Sequence, residues 1–479
     1  MSLLSTRCQF YAFVIALTCL SHSVEAQLEK NYSPRQTHSK LSKDLIKGLE
    51  FQFEQEYWTM PDNRQIQEIN HERKTIFIKK VVEGAFIKDD SLEKYVDNVL
   101  RQIVNNNAVQ PHSRKALVLS SPHVNAVCYG RGIYAVTVGL LARIENEDQL
   151  AFILAHELAH DELGHLRTRI LQEADLDLEG KATEQTFKVI SGKIVKEEIE
   201  EFRKILYDYT RHSRNNEIKA DSLALVLLRN AGYNERKSFA TLDILRAAQA
   251  PKYPVGVELF MPFHAPDFPF QDHWLHSRPT VYSKKYVGTF LYADDSIKTH
   301  PEINIRKQLL APHIRPVGDS TTYQISAFFS AVSELAAFET VESAYKNNAY
   351  DLSLYYALHL LHRYPDNVYL ISRITGILND LYDARNSNSF YQYVPRYTLN
   401  YGEELKLINN FLHNLSQKEL GELSYRFIHS PTNFNPDERS HYYLLWQIGN
   451  LTNRAEVRRQ AAKAYRERFR SSIDSYRYQ

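Results

Sequence analysis

The sequence predicts an α+β fold that is mainly α: a small sheet set among helices early in the chain, followed by an α-helical, TPR-like repeat domain. Three observations carry this. Apolar residues recur at helical spacing through most of the chain, and β-branched and aromatic runs concentrate between residues 116 and 137. Glycine is scarce, 16 in 479 residues, below the roughly 7% usual in globular proteins. The length leaves room for two or three domains, each able to bury its own core.

Taken in order, residues 1–26 read as a secretory signal. Arg7 precedes the apolar run Phe10 to Leu20, and Val24-Glu25-Ala26 offers small residues for cleavage. That run is about eleven residues, short of the roughly 20 that cross a bilayer, and no later run approaches that length. The expectation is an exported, periplasmic protein with no integral membrane span. Losing the signal removes Cys8 and Cys19 and leaves Cys128 as the remaining thiol, so no intramolecular disulfide is expected. Asn31, Asn414 and Asn450 open N-x-S/T sequons.

Residues 27–90 read as a polar lead segment that ends in the short apolar stretch Ile76-Phe77-Ile78. Asp90 is placed to cap a helix running to about Asn106, with Leu92, Tyr95, Val96, Val99 and Leu100 on one stripe. Ala116–Ser120 and Asn125–Thr137 then read as two strands and a turn, and a long helix runs from about Asn146 through His165. The stretch from Asp175 to Arg211 is highly charged and reads as exposed helices; a further amphipathic helix spans Ser213 to Gly232. Prolines, histidines and aromatics cluster without periodicity between Pro251 and Pro279, as in a long functional or mobile loop. After a linker at 286–322, residues 323–479 show helical stripes at Ala327–Asn347, Leu352–Tyr364, Val368–Leu381, Glu403–Leu415, Glu419–Ile428 and Glu456–Tyr476. Charge is balanced, 58 Lys+Arg against 57 Asp+Glu, which excludes a polybasic nucleic-acid binder and a disordered acidic chain.

The chemistry centres on His156-Glu157-Leu158-Ala159-His160. Residues i and i+4 share a helix face, so both imidazoles can converge on one Zn2+ ion, with Glu157 beside the open position where it can take a proton from the attacking water. Phe152-Ile153-Leu154-Ala155 and Leu158-Ala159 make this helix apolar on several sides, and a buried His-Glu-His cluster calls for a metal to compensate it. A third protein ligand is expected. Glu217 is the better candidate, with Asp221 one turn on along the same face, placed to accept the remaining N–H of a ligand histidine. Continuing the helix through His165 would turn that residue about 140° away from His160.

His156 to His160, followed by Gly164-His165 and by Glu217-Ile218-Lys219-Ala220-Asp221, resembles the HtpX-like and CAAX prenyl endopeptidase-like gluzincin metallopeptidases. Gly130-Arg131-Gly132, Thr137-Val138-Gly139-Leu140-Leu141 and Glu147-Asp148-Gln149-Leu150 fit the same pattern, and the resemblance covers about residues 91 to 282. Helical repeats after such a domain are similar in layout to the exported BepA-like enzymes. The resemblance implies a zinc endopeptidase domain at 91–285, with His156, His160 and Glu217 on the metal, Glu157 as general base, and a polypeptide substrate along the 124–137 strand. It also implies quality control of unfolded or misassembled envelope proteins, a chaperone role, and an envelope protein-assembly partner at the repeats. In this family a loop histidine can occupy the open metal position and hold the enzyme latent. The family's His-Pro pairing there reads as His276-Ser277-Arg278-Pro279, which makes His276 the positional match ahead of His273 and His264. His273, His276, Arg278 and a loop tyrosine are the candidates for stabilising the oxyanion. The alternative from another class is a non-enzymatic chaperone or adaptor scaffold acting through the repeats. Retention of every expected site residue favours the enzyme.

Overall fold

A computed structural model describes residues 32–37, 60, 61, 63–130, 132–176, 214–248, 252–276, 303–315, 327–395 and 403–469. The signal at 1–26, most of the charged stretch up to Arg211, Arg278, most of the 286–322 linker and the end of the last stripe lie outside the described residues. Among the described residues no helix is long and apolar enough to cross a membrane.

Helix α1 (Arg64–Val82) starts on Asn63, whose side chain accepts from the amides of Gln65 and Ile66. It absorbs the expected apolar stretch at Ile76–Ile78. Phe77 and Val81 pack on Phe86, Leu117, Ile133 and Ala135 behind the sheet, while Ile76 stays exposed. Helix α2 (Asp90–Asn105) carries the predicted stripe, but its cap is Asp89, which accepts from Ser91 and Leu92.

The sheet has three strands, β1 (Lys115–Leu119), β2 (Ala126–Gly130) and β3 (Ile133–Thr137), in the order β1-β3-β2. The run expected as one strand from Val124 to Thr137 is therefore a hairpin. Gly132 makes the turn at φ +80°, where a Cβ would approach the Ser113 carbonyl to 2.3 Å. β3 pairs in parallel with β1 and antiparallel with β2, so β3 is central and buried at every position, and β1 and β2 are the outer strands.

Helix α3 (Val138–Arg143) leads into α4 (Glu147–Glu162), capped by Asn146, which accepts from the Gln149 amide at 3.1 Å. α4 is buried almost continuously from Asp148 to Ala155 and packs on α2, β2 and β3. It ends at Leu163-Gly164, where Gly164 takes φ +63°, and α5 (His165–Leu176) starts in a new direction. Helix α6 (214–230), helix α7 (Lys237–Arg246) and the short helix α8 (Ile303–Leu310) complete this half. α8 falls inside the stretch read as a linker.

The second half contains α9 (Ala327–Lys346), α10 (Tyr350–Arg363), α11 (Val368–Asn386), α12 (Glu403–Asn414), α13 (Gln417–His429), α14 (Arg439–Leu451) and α15 (Ala455–Arg468). α14 has no counterpart among the predicted stripes. α9 packs on α10, α10 on α11, α13 on α14 and α14 on α15, while α12 packs on α10 and α13 on α11; asparagines in the left-handed region, Asn348, Asn388 and Asn453, follow α9, α11 and α14. The core is continuous across both halves, with α9 against α2 and α3.

Two segments tie the halves together. In the proline-rich loop, Phe260, Phe263, Phe270 and Trp274 gather round Phe411 of α12, so its visible part is packed. Asn414 donates to the carbonyls of Trp274 at 3.0 Å and His276 at 2.7 Å, and Trp274 Nε1 donates to Glu419 at 3.0 Å. Asn414 is thus buried and unsuited to glycosylation, whereas Asn450 is exposed. At the other end, Tyr32 stacks on Phe338 with ring centres 4.9 Å apart, meets Tyr369 edge-on at 4.6 Å and donates its hydroxyl to Glu339. The Lys88 amide donates to the Gln36 carbonyl at 2.8 Å, which binds the same segment to the first half.

Candidate metal centre

His156 and His160 project from one face of α4 because they are four residues apart on a regular helix. Their Nε2 atoms lie 3.0 Å apart. Glu217, buried on α6, brings Oε1 to 3.3 Å from His160 Nε2 and Oε2 to 3.5 Å from His156 Nε2. One ligand atom from each of the three lies within 4.8 Å of the others, and this is the metal-holding group among the described residues. Two imidazoles and one carboxylate, with Glu157 half-buried beside them, form a donor set that suits a catalytic divalent cation.

The Nδ1 atoms face supports. Asp221 Oδ1 stands 3.0 Å from His156 Nδ1. Asp221 is itself gripped by Arg306 of α8, Nε to Oδ2 at 2.7 Å and Nη2 to Oδ1 at 2.6 Å, and Arg306 Nη1 lies 3.5 Å from Glu217. On the other ligand, His165 Nδ1 lies 2.9 Å from His160 Nδ1. The break at Gly164 swings His165 back, which corrects the expectation that it points away.

The electrostatics follow from this packing. Burial disfavours charge on His156, yet Asp221 and Glu217 outweigh it and raise its pKa to about 10. Burial would raise the Asp221 pKa, but Arg306 and His156 hold it below the usual carboxylate range. Burial, then the neighbouring His160 and Lys219 charges, lower the His165 pKa to about 4, so at neutral pH it is uncharged and able to accept from a His160 N–H.

His276, His273 and His264 do not join the cluster. The backbone carbonyls of His273 and His276 are taken by Asn414, and His264 Nδ1 accepts from the Phe270 amide at 3.4 Å. The sequence does hold a contiguous His-Pro pair, His300-Pro301, just before α8 and outside the described residues. That dipeptide was the signal that would have drawn attention to α8 and its arginine.

Residues 90–312 match the family model described as Peptidase family M48. Over 124 residues the chain is 27% identical to the mitochondrial metalloendopeptidase OMA1 of Arabidopsis thaliana, a stretch that is 26% of this chain and 24% of that protein. The matched segment holds both halves of the metal cluster together with Arg306, and residues 90–312 are similar to the M48 gluzincin metallopeptidases.

Proposed function

We propose that the protein is an exported, zinc-dependent metalloendopeptidase that cleaves extended segments of unfolded or misassembled envelope polypeptides. The observation that carries this is the convergence of His156, His160 and Glu217 within 4.8 Å, next to Glu157 on the same helix. Zinc in this site would polarise the scissile carbonyl and acidify water. Glu157 accepts the proton of the attacking water and returns it to the leaving amine. Asp221 and His165 hold the two histidines with Nε2 turned inward.

Among the described residues β2 is an outer strand of the sheet, paired with β3, and a substrate strand would pair along its other side. This mode gives affinity without strict sequence choice, which suits unfolded substrates. The TPR-like helices α9–α15 are the docking region for an envelope-assembly partner and for a chaperone role. His276, ahead of His273 and His264, stays the candidate for a self-inhibiting histidine, with its backbone carbonyl held by Asn414 of α12.

The test is Glu157→Gln in the full-length protein. The expected result is metal at the wild-type ratio, identified as zinc by elemental analysis, with cleavage of reduced, alkylated protein substrates abolished. Continued cleavage by Glu157→Gln would sink the proposal.

A further inference from the structure

The residue after the second histidine, Asp161, has no part in the chemistry above, yet it collects three donors on one carboxylate oxygen. The Gly132 amide donates to Oδ2 at 3.0 Å, the Tyr134 hydroxyl at 2.7 Å, and His112 Nε2 stands 3.3 Å away. Gly132 and Tyr134 form the turn and first half of β3, and Tyr134 lies opposite Cys128 of β2 in the ladder. Glu162 extends the same contact: it pairs with Arg114 and accepts from the Gln110 amide at 3.0 Å. The C-terminal end of α4 is thereby fastened to the β2–β3 turn and to the segment before β1. Behind the turn, the Gly132 carbonyl accepts from the Lys115 amide at 2.7 Å, so the hairpin is held from both sides.

We infer that Asp161 is a positioning residue that fixes the register of the β2 edge, and hence of a polypeptide substrate paired to it, against His156, Glu157 and His160. This rests on the function proposed above. A strand-bound substrate gains its main-chain hydrogen bonds only where the edge strand is held in place against the metal helix; a loosened hairpin must be ordered at binding, which weakens binding and leaves the chemistry of a seated substrate unchanged. Asp161 sits one residue from His160, so it sets that placement with little intervening chain. Tyr134 is fully buried, and its hydroxyl reaches Asp161 from inside the sheet.

The experiment uses full-length, metal-loaded protein and an internally quenched extended peptide, with amide hydrogen exchange over residues 126–137 as a second readout. Asp161→Ala is expected to raise KM about tenfold, keep kcat within about twofold, retain the metal and speed exchange in the hairpin. Asp161→Asn keeps an acceptor oxygen and should restore KM most of the way. Tyr134→Phe removes one donor and should shift KM and exchange the same way to a smaller extent; it carries the test alone where Asp161→Ala does not fold. A fall in kcat at constant KM, or loss of metal with unchanged hairpin exchange, overturns the inference. Absence of any cleavage by the wild-type protein removes the proposed function instead, and the exchange measurement still decides whether Asp161 holds the hairpin.

Discussion

Arg306 grips both oxygens of Asp221 in a buried fork, and Asp221 stands against His156 Nδ1, so a helix from outside the predicted peptidase core props the first histidine. Removing the guanidinium leaves a buried carboxylate without its main partner. Arg306→Ala is expected to cost about 3–5 kcal/mol of stability in denaturant unfolding and to weaken metal binding about 10- to 100-fold. Arg306→Lys keeps the charge but not the fork and should recover only part of either.

His165 supports the second histidine. Since burial keeps it neutral, it can accept from the His160 Nδ1–H, an arrangement that turns His160 Nε2 to the metal position. His165→Phe should lower metal affinity about 10- to 100-fold in a chelator competition titration, and His165→Gln, which retains an acceptor, should lower it less.

Asn414 fastens the proline-rich loop to α12. Asn414→Ala leaves buried carbonyls without a donor, at a cost of about 1–3 kcal/mol. Faster amide exchange across residues 256–276, with metal content unchanged, is the expected readout.

The helical half should weaken in mild acid. His359 of α10 lies among Tyr253 and Tyr355, and burial, then the His362 charge, lower its pKa from 6.5 to about 4. The unfolded chain then takes up the proton first as pH falls, so stability present above pH 6.5 is lost between 6.5 and about 4. Burial lowers the His441 pKa too, which adds a term of the same sign. Urea unfolding across that range should show a slope that His359→Leu flattens.

The metal helix was legible because its information is local: i, i+4 spacing places two imidazoles on one face whatever surrounds them. Glu217 and Asp221 were legible because their helix shows its buried face in the sequence. Arg306 was not, since α8 is short, lies in a stretch without strong periodicity, and a single arginine acquires meaning only when folding brings it to Asp221. His165 was misread by extending α4 through Gly164, where the backbone turns left-handed. The hairpin was merged into one strand because β3 is apolar throughout, as a central strand is, and shows no alternation. α1 left too faint a trace, with only Ile66, Phe77 and Val81 buried along its length.

The docking of Tyr32 also sets an order of events during synthesis. Its hydroxyl partner Glu339 lies 307 residues downstream, and Tyr369 must also emerge before the ring is enclosed. At roughly 5–20 residues per second, Tyr32 waits roughly 15–60 s after leaving the ribosome before its pocket exists. One of the first parts of the described chain to be made thus becomes native only once the third helix of the second half is in place.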